Sequence, residues 1–163
     1  MAISARILIE ELAEIETSSV FKDLTAVYTL VLDEEYETAA VAVSELREIA
    51  PQNAEVLKLL AQLKLSLNAP DEAAEIFKEY VQFYPEDKQI TFVLAKLLVD
   101  IGDLSAAGPY LDELLLLNDR NPLLNQLKAA TYASNGDYAN ALKRAEIAII
   151  GNIEAPSIRL IAR

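Results

Sequence analysis

The amino-acid sequence predicts an all-α fold built from antiparallel pairs of helices. Apolar residues recur at intervals of three and four along most of the 163 residues, which is the spacing of one helix face. No stretch alternates cleanly with the period of two that is typical of strands. Helices of about 13–16 residues joined by short loops are expected, and short loops favour antiparallel neighbours. The predicted breaks lie at residues 33–34, 51, 68–70, 85, 102–103, 118–122, 135–136 and 151–156.

A repeat of 34 residues is the second observation that predicts this fold. Two series of alanines keep the spacing, two pairs of prolines keep it, and Gly102-Asp103-Leu104 returns as Gly136-Asp137-Tyr138. Self-similarity of this length is typical of arrays of stacked helix pairs. The repeated residues are Ala39, Ala73, Ala107 and Ala141; Ala61, Ala95 and Ala129; Pro51 and Pro85; and Pro122 and Pro156.

The register of the repeat assigns the elements in order. Four repeats are predicted, each with a first helix (A), a turn and a second helix (B), over residues 20–53, 54–87, 88–121 and 122–155. The repeated alanines are small because neighbouring helices approach closely at the middle of helix A and at the start of helix B. Larger residues follow along helix B and form one apolar stripe per helix: Val43, Leu46, Phe77, Tyr80, Leu111 and Leu114. The fourth stripe is Ala141, Ala145 and Ala148, which predicts thinner packing.

Both ends of the chain continue the register. Residues 1–19 are predicted to form a helix like helix B of a preceding repeat, and residues 156–163 are predicted to begin a further helix A. A capping helix carries polar residues, whereas Ile158, Leu160 and Ile161 are apolar. We therefore expect the chain to be an excised stretch of a longer array. Exposed apolar ends would also favour a homodimer through the terminal helices. The alternative is a natural N-terminal capping helix with a short C-terminal solvating helix.

At these positions the sequence resembles the tetratricopeptide repeat (TPR) family. The resemblance covers residues 20–155 and is weakest in the first repeat, which lacks the Gly-Asp turn. It implies a single TPR domain over residues 1–163, folded as a right-handed α-α superhelix (a TPR solenoid) whose concave face is lined by the A helices. The residues that carry the resemblance are Leu57, Leu60, Ala61, Ala73, Phe77 and Pro85; Leu94, Ala95, Gly102, Asp103, Ala107 and Leu111; and Ala129, Tyr132, Gly136, Asp137, Tyr138 and Ala141.

Two features depart from the regular pattern. Gly108-Pro109 falls inside the third helix B, and we expect Ser105 to be the N-cap, which would put Pro109 in the first turn. Asn125 and Lys128 occupy positions of the fourth helix A where large apolar residues are usual. Either the lysine stem lies along the core with its charge in water, or these side chains face a ligand.

The composition excludes several classes of function. There is no Cys and no His, so a thiolate nucleophile, a Ser-His-Asp triad and Cys or His metal ligands are absent from the sequence. The net charge of −12 argues against nucleic-acid and anionic-membrane surfaces. No signal peptide, membrane span or phosphate-binding loop is visible. We therefore expect a soluble non-enzyme without a cofactor or metal, in the cytoplasm or, as part of an exported protein, in the periplasm.

The inward face of the A helices is the predicted binding groove. By register it offers Phe21, Leu24 and Tyr28 in the first repeat and a mixture of polar and aromatic side chains further on. Two inward lysines in an acidic chain predict a contact with an acidic side chain or carboxylate of a bound peptide; ordinary solvated lysines are the alternative. The lysine, asparagine and arginine clamp of chaperone-tail receptors is missing. The predicted groove residues are Tyr28, Lys58, Gln62, Phe92, Lys96 and Gln126.

Together these features predict a protein-interaction scaffold with a peptide or protein partner. The fourth repeat resembles TPR lipoproteins of exopolysaccharide export, so a fragment of a longer bacterial TPR protein associated with the envelope is expected. The alternative is a small acidic type III secretion chaperone that binds a translocator segment in its groove. The sequence does not name the partner or the pathway.

Overall fold

The computed structural model describes residue 20 and residues 23–154. The described part of the chain holds helices and short loops and no strand, which confirms the predicted all-α class. The predicted helices over residues 1–19 and 156–163 lie outside the described residues. The helices are α1 (described at residue 20 and residues 23–32), α2 Tyr36–Ile49, α3 Ala54–Ser66, α4 Pro70–Phe83, α5 Lys88–Asp100, α6 Leu104–Leu117, α7 Pro122–Ser134 and α8 Tyr138–Glu154.

The chain divides into two compact units, Met1–Phe83 and Tyr84–Arg163. In the first unit α2 packs on α3, and α3 packs on α4. In the second unit each of α5, α6 and α7 packs on the helix that follows it, and α5 also contacts α7. The division into four 34-residue repeats within one domain stays a prediction.

Helix starts in both units are fixed by side chains that accept backbone N–H groups. Asn53 Oδ1 accepts from the backbone N of Glu55 (3.0 Å) and of Val56 (3.2 Å) at the start of α3. Asp87 caps α5 and Asn121 caps α7 in the same way. These caps recur at the 34-residue spacing, and each contributes about 1 kcal/mol to helix stability.

The turns between the helices of a pair share one backbone conformation. Glu34, Asn68, Gly102 and Gly136 stand at the same register position, and their φ angles are 61°, 57°, 84° and 76°. Beside the first two, the backbone N of Glu35 donates to Leu30 O (2.9 Å) and that of Ala69 donates to Lys64 O (2.8 Å). A left-handed residue is the usual end of a helix, and glycine adopts this conformation with the least strain.

The core follows the repeated alanines and the stripe on each helix B. The alanines at residues 39, 61, 73, 95 and 107 are fully buried, and so are the larger side chains of Val43, Phe77 and Leu111. In α8, Ala141 and Ala145 are only partly buried and Ala148 is buried, so the packing there is thinner, as predicted. Ala129 differs from its equivalents because it is only partly buried.

The expected first-turn position of Pro109 is wrong. The N-cap of α6 is Asp103, whose side chain accepts from the backbone N of Ala106 (3.1 Å), so Pro109 lies in the second turn. Proline has no N–H to donate to the carbonyl of Ser105, four residues earlier. Ser105 and Pro109 are both exposed, so water can bind that carbonyl and the helix continues.

The predicted break at residues 151–156 is also wrong at residues 151–154, because α8 continues through Gly151 to Glu154. A Cβ atom on Gly151 would lie 2.7 Å from Cγ of Pro122 and 3.3 Å from the carbonyl oxygen of Arg120. Glycine is therefore required here by the close approach of α8 to the start of α7, and it does not terminate the helix.

Asn125 and Lys128 point into the second unit and do not face a ligand. Asn125 is fully buried, and its Nδ2 donates to the carbonyls of Asp119 (2.7 Å) and Asn121 (2.9 Å). Lys128 Nζ lies 2.7 Å from Asp112 Oδ1 and 5.1 Å from the centre of the Tyr132 ring. The lysine stem is buried, as the first predicted alternative has it, but its charge pairs with the exposed Asp112 carboxylate and is not free in water.

Candidate functional site

Three side chains of the first unit form a connected polar cluster on the A-helix side. The Tyr28 hydroxyl of α1 donates to Glu55 Oε2 of α3 over 3.3 Å, and Lys58 Nζ lies 2.6 Å from the other oxygen, Oε1. Lys58 Nζ also lies 6.0 Å from the centre of the Tyr80 ring, at the outer limit of a cation–π contact. The cluster joins two successive A helices, and both Glu55 oxygens are used within it.

Burial and charge both act on the Tyr28 phenol. Burial raises the pKa of Tyr28 above its ordinary value of 10.0, and the nearby Glu55 carboxylate raises it further, because a phenolate there would face a second negative charge. Lys58 acts in the opposite direction and lowers the pKa of the same phenol. Tyr28 is therefore a neutral hydrogen-bond donor at ordinary pH.

The remaining predicted residues of the first unit are divided between surface and core. Gln62 is exposed on α3, one turn after Lys58, and Leu65 follows it on the same helix. Leu24 was also expected to face the groove, but it is buried. Phe21 lies outside the described residues.

In the second unit the predicted residues lie on α5 and α7, which contact each other. Phe92 is half-buried, and Lys96 is exposed one turn later on the same helix. Lys96 Nζ lies 2.5 Å from Asp100 Oδ2. Gln126 is exposed on α7, between the buried Asn125 and Leu127.

Each predicted groove lysine is thus paired with a carboxylate of its own helix. Lys58 pairs with Glu55 three residues earlier, and Lys96 pairs with Asp100 four residues later. We did not predict from the sequence that these carboxylates pair with the lysines, although spacings of three and four on a helix are the usual signal for such pairs. The lysines therefore do not present a free positive surface.

A shallow cavity opens on the B-helix side of the first unit, between α2 and α3. The Ser44 hydroxyl in its wall donates to the Ala40 carbonyl over 2.6 Å, which is a bond within the helix, and Lys64 pairs with Glu72. The Ser44 hydroxyl and the Lys64 ammonium group are therefore used in local structure. It is lined by Ala40, Val41, Ser44, Glu45, Glu48 and Lys64.

Across the described residues no group of three or more His, Cys, Asp or Glu side chains is placed to hold a metal ion. In the same part of the chain, none of the helices has the length and apolar character needed to cross a bilayer.

The helix pairs, their shared turns and the repeated alanine core define a helical-repeat protein. The family model described as the tetratricopeptide repeat matches residues 30–90 and again residues 64–131. The chain therefore belongs to the TPR family. No curated protein sequence matches it.

Solved structures of TPR proteins share the fold. MamA AMB-1 superposes with a TM-score of 0.74 at 19% identity, over 88% of this chain and 79% of that one. MamA from Desulfovibrio magneticus RS-1 gives 0.70 at 13% identity, over 85% and 78%. YrrB, described as a TPR protein with an unusual peptide-binding site, gives 0.69 at 19% identity, over 91% and 76%. These likenesses confirm the predicted TPR solenoid class and concern the fold alone.

Proposed function

We propose that this chain is a non-enzymatic protein-interaction scaffold that binds a peptide or a segment of a partner protein on the A-helix faces of its units. The observation that carries the proposal is the pattern of burial along α3. Leu57 and Leu59 are buried, whereas Lys58 between them reaches the surface beside the exposed ring of Tyr28. Aromatic, charged and amide side chains in one place suit peptide recognition. The proposed contact residues are Tyr28, Lys58, Gln62, Phe92, Lys96 and Gln126.

Family membership supports this proposal. Arrays of helix pairs present extended surfaces built from equivalent positions, and such surfaces are suited to binding extended segments. YrrB, a fold neighbour, is described as having a peptide-binding site. The same kind of ligand is proposed for this chain because its A-helix positions carry exposed side chains that its core does not use.

Catalysis is not part of the proposed function. The sequence has no Cys and no His, which removes the thiolate nucleophile and the commonest general base. Carboxylates are numerous, but Glu55 and Asp100, which lie beside the proposed contact residues, are each paired with a lysine. A hydrolase activity that disappeared on replacement of a single carboxylate would overturn this part of the proposal.

The finer proposal places the scaffold in a longer bacterial TPR protein associated with the envelope or with exopolysaccharide export. Its support is the resemblance of the fourth repeat to TPR lipoproteins of those systems. A small type III secretion chaperone is the alternative. Genes for polysaccharide export next to the coding gene would favour the first, and genes for a secretion apparatus would favour the second. A homodimer through the predicted terminal helices, residues 1–19 and 156–163, stays part of the proposal, and exposed apolar side chains on the preceding helix α8, such as Leu142 and Ile149, would extend such an interface.

Affinity capture from the source cells with matched variants tests the proposal. The variants Tyr28→Ala and Gln62→Ala alter the A-helix side, and Tyr138→Ala and Gln82→Ala make the same changes at exposed positions of B helices. We expect the captured partner to bind the A-side variants about tenfold or more weakly, because aromatic anchors dominate such interfaces, and to bind the controls normally. Equal losses in both pairs, or losses in the controls only, would contradict it.

A further inference from the structure

The A-helix face of the first unit is nearly neutral in a strongly acidic chain. We define this face by six side chains that stand at predicted groove positions of α1 and α3: Tyr28, Leu32, Glu55, Lys58, Gln62 and Leu65. Its charged members are Glu55 and Lys58, which form one ion pair, whereas the whole chain carries a net charge of −12. The acidity of the molecule is therefore carried elsewhere.

Glu55 cancels two sources of positive potential at once. It lies in the first turn of α3, at the positive end of the helix dipole, which attracts anions. It also holds Lys58 at 2.6 Å and accepts the Tyr28 hydroxyl at 3.3 Å. A carboxylate of a ligand that approached Lys58 would meet the Glu55 carboxylate at the same place.

The rest of the face is apolar or carries an amide. Leu32 is 83% exposed, Tyr28 is 43% exposed and Leu65 is 38% exposed. Gln62 adds an amide that can both donate and accept hydrogen bonds, as a peptide backbone requires. These groups gain from contact with apolar side chains and an extended backbone, and they carry no charge that could pair with a charged side chain.

We infer that Glu55 determines the specificity of this face: it makes the first unit select extended segments with uncharged, apolar and amide side chains and reject acidic ones. This inference rests on the proposed binding function and replaces the expectation of an acidic ligand at Lys58. The occupant is a neutral stretch of a partner protein, recognised through its leucine-like and aromatic side chains.

Selection from a displayed library of random 12-residue peptides tests the inference on the full chain. We expect the wild-type protein to enrich peptides with Leu, Phe, Tyr and Gln and to deplete Asp and Glu. Enrichment of Asp- and Glu-rich peptides by the wild-type protein would overturn the inference and leave the proposed function intact. Failure of the wild-type protein to enrich any peptide above a column without protein would overturn the proposed function itself.

Variants that remove the charge of Glu55 or of Lys58 supply the second part of the test. Glu55→Gln should bind an Asp-containing version of an enriched peptide about twofold to fivefold more tightly than the wild-type protein does, because one surface charge interaction is of that size. Lys58→Gln should weaken binding of the same acidic peptide, and the double variant should return to the wild-type preference. Glu75→Gln is the matched control, since Glu75 pairs with Lys78 at the same spacing of three on α4, a B helix. An unchanged preference in Glu55→Gln, or an equal shift in the control, would overturn the role of Glu55.

Discussion

Arg144 of α8 donates a hydrogen bond from Nη1 to Oδ1 of Asn125 on α7 over 3.0 Å. Asn125 is fully buried, and its amide nitrogen is bound to the carbonyls of Asp119 and Asn121. One side chain thus connects the loop before α7 with the helix after it. The amide replaces the apolar contact usual at this position with a set of directional bonds, which fixes how α8 packs on α7.

Replacing Asn125 should destabilise the second unit. In Asn125→Leu the carbonyls of Asp119 and Asn121 and the Arg144 guanidinium lose their shared partner, which should lower the free energy of unfolding by about 2–3 kcal/mol. Gln126→Leu changes the exposed neighbour on the same helix and should stay within about 0.5 kcal/mol of the wild-type protein. Urea unfolding followed by circular dichroism measures both, and equal stabilities of the two variants would be contrary to this account.

The turn after α1 should be improved by glycine. Glu34 adopts φ 61°, a conformation that strains a residue with a Cβ atom, and Gly102 and Gly136 hold the same place in the second unit. Glu34→Gly should therefore raise the free energy of unfolding by about 0.5–1 kcal/mol. Gly102→Ala, where a Cβ would meet nothing within 4 Å, should lower it by about 1 kcal/mol through backbone strain alone. In thermal unfolding, the midpoint temperature should rise in Glu34→Gly and fall in Gly102→Ala relative to the wild-type protein.

Gly151 should not tolerate a methyl group. The added Cβ would lie 2.7 Å from Cγ of Pro122, so α8 or the start of α7 must shift. We expect Gly151→Ala to cost about 1–3 kcal/mol in urea unfolding, the range for overpacked contacts. Asn152→Ala, at an exposed position of the same helix, is the control and should be close to neutral. A stabilised Gly151→Ala would mean that only helix propensity acts at this position.

The ionisation of Tyr28 should report the Glu55 contact. Because the pKa of Tyr28 is raised in the folded protein, its contribution to stability is fully present below about pH 10 and is lost as the pH rises through the folded-state pKa. The phenolate absorbance of Tyr28, taken as the difference between the wild-type protein and Tyr28→Phe, should therefore appear above pH 10.0. Glu55→Gln should lower this pKa toward its ordinary value. A titration of Tyr28 at or below pH 10 in the wild-type protein would exclude the contact.

Much of the fold is predictable from the spacing of residues. The alanines that recur every 34 residues are small because neighbouring helices touch there. The side chains of Asn53, Asp87 and Asn121, which keep the same spacing, cap the starts of α3, α5 and α7. The N-cap of α6 was misplaced because Asp103 and Ser105 are both good capping residues, and sequence alone does not choose between them.

The polar groups near the site are harder to predict. The sequence allows Asn125 to be either a ligand contact or a buried group, because a buried polar side chain needs a hydrogen-bond partner. That partner is Arg144 of another helix, and the sequence does not show that the two residues meet. Glu55 is different, since its spacing of three from Lys58 is a local signal that was available in the sequence.

Photo-crosslinking from two glutamine positions tests the central proposal most directly. A photoreactive amino acid is placed at Gln62 on helix α3 or at Gln82 on helix α4, both exposed, and the full chain is mixed with its captured partner. Binding on the A-helix face predicts a crosslinked product from position 62 and little or none from position 82. A product from position 82 with none from position 62 would contradict the proposed binding face.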